Sequence, residues 1–256
     1  MEPKEEIIVG VLGQWGSGKS TAARTLVRYL GGEDGVTFLT DRELFASRAV
    51  NHVLDLEGLQ VKSTIEDDGR QRLVCDKVAV WLRPGEDLKT VDLNTLRFDV
   101  HDSVQHLWLN DARVELGHQI VERSADRRPI VIEAGFGRRP SGHTISDLFT
   151  TLEAEGVEAR RVKWIVVEAC YKRRSERNEK RRDSVPAEVF ARYAADGGDL
   201  DPDHQSRLEK RGATIRRVLN DHDDIERFRV DVIAAFDGMF GGVLRAGAVD
   251  GSREQG

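Results

Sequence analysis

The chain has 256 residues, 39% of them hydrophobic and 33% charged, with a formal net charge of −6. A folded chain of 28.7 kDa buries about three quarters of its unfolded surface, enough for a full core without staples. The mean hydropathy of −0.47 argues against a membrane protein, because no run nears the roughly 18–20 apolar residues of a span, and the acidic total argues against a non-specific DNA coat.

Residues 7–12 form a short β-branched run that predicts a buried strand. A helix is expected over 19–30, with Ala22, Ala23, Leu26, Val27 and Leu30 on one face and Gly31-Gly32 as its stop. Residues 36–39 read as a second strand and 42–55 as a helix. Asp68-Gly69, between the β-rich runs 61–65 and 73–82, predicts a hairpin. A long helix is expected over 99–124, carrying Val104, Leu107, Trp108, Ala112, Leu116 and Ile120. Strands at 129–134, 162–167 and 213–219 alternate with helices at 145–155, 171–182 and 224–240. Pro186 suits the first position of a further helix to about 194. The Gly-rich, polar stretch 241–256 reads as a frayed tail.

Strands alternating with helices predict an α/β fold, a parallel sheet covered on both faces. No internal repeat or linker stands out. One domain is expected over 1–240, with an insertion near 60–95 and a lid near 170–212. The opening Met-Glu-Pro-Lys-Glu-Glu is unlike a signal peptide. Two separated cysteines, Cys75 and Cys170, fit a reducing cytoplasm and read as small core residues rather than ligands.

Gly13-Gln14-Trp15-Gly16-Ser17-Gly18-Lys19-Ser20 matches G-x-x-x-x-G-K-[ST] at every position. Its glycines let successive N–H groups turn inward as an anion nest, and the helix that opens at Lys19 adds its positive dipole end. Lys19 is expected to reach the outer phosphates of a nucleotide, and the Ser20 hydroxyl to ligate Mg²⁺. Gly13, Gly16, Ser17, Gly18 and Thr21 complete the nucleotide-binding turn. The motif lies where its mechanism requires, after a strand and before a helix. Trp15 reads as a packing or rim residue.

Three further features bear on what the nucleotide is for. Asp41 follows the second strand, at the sheet edge where ligands sit in open α/β sheets. It can take the proton of an attacking hydroxyl or cap the helix that follows. Ile130-Val131-Ile132-Glu133 is a Walker-B-like strand ending in Glu. Glu133 can hold Mg²⁺ through water or touch an acceptor, with Arg138, Arg139 and His143 beyond it on the acceptor side or simply in an exposed loop. Residues 158–183 carry ten Lys/Arg against five acids, a local +5. Helical spacing aligns Arg174, Arg177 and Arg181, which can form a phosphate-gripping lid or a solvated basic face.

With these pieces the chain resembles the small P-loop kinases of the P-loop NTPase superfamily, a three-layer fold around a five-stranded, mostly parallel sheet. In layout it looks most like the zeta-toxin-like and polynucleotide-kinase-like members. They run phosphate loop, strand with terminal Asp, long helix, strand ending V-I-E-G, helix, strand and arginine lid. The resemblance implies ATP and Mg²⁺, with Lys19 on the phosphates, Asp41 as base, and Arg177 with Arg181 or Arg182 gripping the γ-phosphate. It places Arg174 and Asn220 at the nucleotide, the latter in the Leu219-Asn220-Asp221 loop beside adenine. Asp41, Arg42, Glu133, Arg138 and Arg139 fall on the acceptor side, and Ser20 and Glu133 at the metal. Ala134 interrupts V-I-E-G, and residues 60–95 match no family piece. The acceptor that the resemblance implies is a hydroxyl on a nucleoside- or nucleotide-like compound, or on a polynucleotide.

A GTPase would require N-K-x-D, which the sequence lacks. Its one D-x-x-G match, Asp55-Leu56-Glu57-Gly58, follows a helix. A nucleotide-gated assembly module of the AAA type would close its strand in Asp-Glu, where this chain has Glu133-Ala134. His101 and His106 are five apart, a poor match to a helical metal pair, and no H-E-x-x-H occurs.

Overall fold

The computed structural model describes residues 6–56, 61–135, 145–180, 187, 190–191 and 202–241. Its centre is set by three strands with little polar character: β1 (Ile8–Gly13), β7 (Ile130–Gly135) and β8 (Lys163–Glu168). β1 is buried at every position, as a strand covered on both faces must be. With β2 (Thr37–Thr40) and β9 (Thr214–Leu219) they form a parallel five-stranded sheet in the order β2-β7-β1-β8-β9. All five predicted strands are present, within one or two residues of their expected ends.

The alternation of β1 divides the core in two. Val9 and Val11 face α1 (Lys19–Tyr29) and α7 (Ile225–Met239), packing with Ala22, Leu26, Phe228 and Phe236. Ile8 and Leu12 face the other way, into a cluster with Leu116 and Ile120 of α3 (Asp102–Ser124) and Phe149 and Leu152 of α4 (Ile145–Ala154). Helices therefore lie on both sides of the sheet, in three layers. Further helices are α2 (Asp41–Asp55), α5 (Tyr171–Glu179) and α6 (Pro202–Lys210). No described helix is long and apolar enough to cross a membrane.

The insertion is larger than the predicted hairpin. β3 (Lys62–Ile65), β4 (Gln71–Cys75), β5 (Val78–Leu82) and β6 (Arg97–Val100) form a second, antiparallel sheet. The Asp68-Gly69 turn is present, with Gly69 at φ 79°. The run 73–82, however, is two strands. They fold back at Asp76-Lys77, where Asp76 adopts φ 48° and Cys75 pairs Val78. Asp tolerates the left-handed region because its short polar side chain bonds locally. Expected as the start of a helix, residues 99–100 instead finish β6, and α3 begins at Asp102 behind His101, whose Nδ1 accepts the Ser103 N–H at 3.2 Å. One face of the second sheet packs Val78, Val80 and Leu82 onto Phe45, Ala49 and Val53 of α2.

α6 falls inside the expected lid region and was not foreseen as a helix. Its Leu208 joins the core below the main sheet. Of the helix predicted from Pro186 only 187 and 190–191 are described, all helical, with Phe190 buried. The cysteines divide: Cys75 is buried as expected, whereas Cys170 is exposed at the start of α5. The tail 242–256 lies outside the described residues.

Candidate active site

Strand register brings the C-terminal ends together along one edge of the sheet. Thr40 stands opposite Glu133, Gly13 opposite both Gly135 and Val167, and Glu168 opposite Leu219. The residues that leave these ends, Gln14, Asp41, Gly135 and Asn220, therefore converge, as expected for an open α/β sheet.

Thr40 caps α2, its hydroxyl accepting the Glu43 N–H at 2.9 Å. That leaves Asp41, at the first helical position, for other contacts. Its Oδ2 accepts the Gly135 N–H at 2.8 Å. A Cβ built on Gly135 would lie 3.8 Å from Lys19 Cε and 3.9 Å from Asp41 Oδ2, so this peptide sits between the lysine and the carboxylate. Asp41 is 5% exposed. Burial pushes its carboxyl up to about 6, against the pull of Lys19, the Gly135 N–H and Arg113. Beside it, Lys19 Nζ is 3.5 Å from Glu133 Oε1, and the Ser20 hydroxyl donates to the same oxygen at 2.6 Å. A hydroxyl and a carboxylate oxygen in contact are the hard donors that Mg²⁺ takes while keeping waters and phosphate oxygens as its other ligands.

The loop is tied from outside. Gly16 and Gly18 hold φ of 77° and 101°, conformations open to glycine at little cost. Gly16 also rests on α5, where a Cβ would stand 2.6 Å from the Arg174 carbonyl oxygen. Asn220 Nδ2 donates to the Ser17 carbonyl at 2.8 Å. Arg177 donates to the Gly16 and Ser17 carbonyls at 3.4 Å, and to Asn220 Oδ1 and the His222 carbonyl at 3.1 Å. A trans peptide points its N–H opposite its carbonyl. With the Ser17 carbonyl held outward, the Gly18 N–H faces the inside of the loop.

The structure thus gathers Gly13, Gly16, Ser17, Gly18, Lys19, Ser20, Asp41 and Glu133 at one edge. Thr21 lies one residue into α1, its carbonyl accepting the Thr25 hydroxyl at 2.8 Å. Arg174 is 1% exposed, with Nε donating to the Ala169 carbonyl at 2.9 Å. Arg177 and Asn220 clasp the outer side of the loop. Arg42 turns toward the insertion, donating to the Asn94 and Leu96 carbonyls at 3.1 and 2.9 Å. Arg138, Arg139, His143, Arg181 and Arg182 lie outside the described residues.

Two residues at this edge escaped the sequence reading. Arg113 of α3 is 1% exposed and its charge acts on Asp41. Its signal was available, since it sits three residues before Leu116 and seven before Ile120, on the apolar face. Gln14, 3% exposed, occupies a position at which the motif accepts any residue.

No family model and no curated protein matches the chain. Among solved structures, an unliganded sugar kinase from Janibacter sp. HTCC2649 superposes with a TM-score of 0.50 at 14% identity, over 90% of this chain and 94% of that one. A gluconokinase from Sinorhizobium meliloti 1021 gives 0.48 at 12% identity, over 96% and 99%. Shikimate kinase from Acinetobacter baumannii gives 0.47 at 12%, over 94% and 97%. At such identities the likeness concerns the fold. With a parallel five-stranded sheet flanked by helices and a glycine-rich loop leaving its central strand, this chain has the fold of the small P-loop kinases.

Proposed function

We propose that the protein is an ATP-dependent kinase that transfers the γ-phosphoryl group to a hydroxyl of an acceptor. The observation that carries this reading is the position of Asp41. Its buried carboxylate is fixed by the Gly135 N–H at 2.8 Å and lies under the influence of Lys19, the lysine of the phosphate loop. A carboxylate so close to the loop is suited to receive the acceptor proton.

In the proposed reaction the acceptor oxygen attacks the γ-phosphorus, a new O–P bond forms and the bond to the bridging β–γ oxygen breaks, leaving ADP. The hydroxyl proton passes to Asp41 Oδ. Lys19 and the inward N–H groups of the loop hold the phosphate oxygens. The Ser17 hydroxyl, buried and without a hydrogen-bond partner among the described residues, is a further donor to them. Ser20 and Glu133 would hold Mg²⁺. When bound, the ion neutralises charge on the phosphate oxygens. The basic segment around α5, which continues into residues outside those described, is read as the lid that excludes water.

The test is γ-³²P-ATP incubated with candidate hydroxyl acceptors, with free phosphate measured in parallel. Stoichiometric label on an acceptor is expected. Hydrolysis without transfer would sink the reading and favour a nucleotide-gated assembly module. An active base must be unprotonated, so kcat should fall as pH drops through about 6, the value to which burial raises Asp41. A flat profile between pH 5 and 8 would remove Asp41 from the base role.

A further inference from the structure

Gln14 leaves the end of β1 directly after Gly13, which pairs with Gly135. Ser17 N–H donates to its backbone carbonyl at 3.2 Å. Gln14 is 3% exposed, yet among the described residues neither Nε2 nor Oε1 has a hydrogen-bond partner. Burying an amide with both ends unmet is costly. Gln14 leaves the sheet at the edge where the Gly135 N–H holds Asp41, two residues after Leu12, which faces α3 and α4. Arg113 of α3 acts on Asp41 from that same side.

The chemistry of the amide narrows what can satisfy it. Nε2 offers only donors and Oε1 only acceptor lone pairs. A phosphate oxygen would meet Nε2 and leave Oε1 orphaned, and a cation would do the reverse. A hydroxyl both donates and accepts, so hydroxyl groups can satisfy the two ends together. Gln14 follows Gly13, whose strand neighbour Gly135 donates its N–H to Asp41, so a group recognised there lies on the side of the carboxylate that the kinase reading makes the base.

We propose that Gln14 recognises a second hydroxyl of the acceptor beside the one that receives the phosphoryl group, which makes the acceptor a polyol with neighbouring hydroxyls. The proposal rests on the kinase reading and deepens it. It disfavours the 5′-hydroxyl of DNA, whose neighbouring carbon carries no hydroxyl.

The test compares wild type with Gln14→Met, which keeps length and loses the amide. Binding is followed with mant-ATP, and transfer with γ-³²P-ATP to glycerol, ribitol, D-gluconate and a 5′-hydroxyl DNA oligonucleotide. Wild type should label one or more of the polyols. The variant should raise the KM of the labelled polyol by about 10- to 100-fold, because a site built to bond a hydroxyl discriminates strongly when that bond is lost. Its mant-ATP affinity should stay within about twofold, the scatter expected of a contact made only to the acceptor. Relieved of a buried unmet amide, the unliganded variant should melt about 2–4 °C higher. A lower melting temperature would overturn the proposal without any assay of turnover. So would weakened mant-ATP binding with an unchanged polyol KM. Label on DNA but on no polyol would overturn it and leave the kinase reading standing. ATP bound with nothing labelled also rejects the polyol. Failure of wild type to bind mant-ATP would reject the kinase reading, and this proposal with it.

Discussion

The two sides of the sheet edge are finished to different degrees. On the side of α5 and β9, the phosphate loop is tied before any ligand arrives. The Gly16 and Ser17 carbonyls are held by Arg177 and Asn220, and Arg174 lies beneath Gly16. On the side of α3 and β7, Asp41 is buried at a raised pKa and the Gln14 amide is unmet. A phosphate offers the same oxygens in every nucleotide, so a loop that holds it can be built rigid in advance. On the proposed kinase reading, an acceptor brings its own pattern of donors and acceptors, and the polar groups proposed to meet it are left for the ligand to complete. Buried polar groups that stay unmet cost stability, and such costs concentrate at functional sites.

The largest effect should come from breaking the finished side at its charge. Lys19→Ala removes the cation beside Glu133, the one the proposed reaction sets on the phosphates. Transfer should fall about 10³-fold, the upper range for loss of one electrostatic contact in the transition state. The far-ultraviolet circular dichroism should not change, because Lys19 packs no core cluster. Activity within tenfold of wild type would separate this loop from phosphate binding.

Asp41→Asn breaks the unfinished side and should give opposite signs for two measurements. Transfer should drop by about 10² or more, the weight of a general base, with ATP affinity retained. Stability should rise. The folded pKa of about 6 lies above the ordinary 3.8, so the folded protein holds this proton more tightly than the unfolded chain. The resulting contribution is present below pH 3.8 and lost as pH climbs through 6, about 3 kcal/mol in all. Asparagine avoids that loss. The variant should therefore be the more stable protein above pH 6, with the gap closing toward pH 4. Urea melts at pH 5 and 7.5 measure it directly. A variant less stable at pH 7.5 would show that the carboxylate is not strained in the folded state.

Arg177→Ala attacks the clasp rather than the chemistry. The guanidinium makes four contacts, spanning both loop carbonyls, Asn220 and the His222 carbonyl. Removing it should loosen the loop, weaken mant-ATP binding about tenfold and lower the melting temperature by about 2–4 °C. If Arg177 instead grips the γ-phosphate, kcat should fall with little change in melting temperature. The two outcomes distinguish a tether from a phosphate ligand.

The difference between the two sides also explains what was legible in the sequence. The three central strands, β1, β7 and β8, read as near-continuous apolar runs because both faces are buried, whereas the edge strand β9 carries exposed Arg216 and Arg217 and is legible only from its alternation. The phosphate loop is a local motif, complete within eight residues. Asp41 stands out in the sequence because it closes a strand. Arg177 stands out only as part of a basic helix, since its partners lie up to 161 residues away and no local spacing encodes that contact. The second sheet was half seen for a similar reason. Its first turn is signalled by Gly69, whereas the second rests on Asp76 at φ 48°, a residue that declares no turn by itself. Gln14 carries no pattern at all, because only burial reveals that its amide is unmet.

The smallest expected effect lies farthest from the loop and sharpens the comparison as a control. In the second sheet Arg72, Trp81 and Arg97 share one row across β4, β5 and β6. The two guanidiniums lie 5.2 and 4.7 Å from the Trp81 ring centroid, and the indole N–H donates to Glu66 at 2.8 Å. Trp81 is only 9% exposed, since the arginine stems cover it. Arg97→Ala uncovers one face of the ring and should cost about 1 kcal/mol, a cation–π contact plus lost cover. Neither arginine contacts Asp41, Lys19 or the loop through any bond described above. The polyol KM and kcat should therefore stay within about twofold while the urea midpoint falls, a loss confined to folding. A rise in acceptor KM without a fall in stability would instead extend the unfinished side of the site across the insertion. The polar groups left for the acceptor would then number more than Gln14 and Asp41.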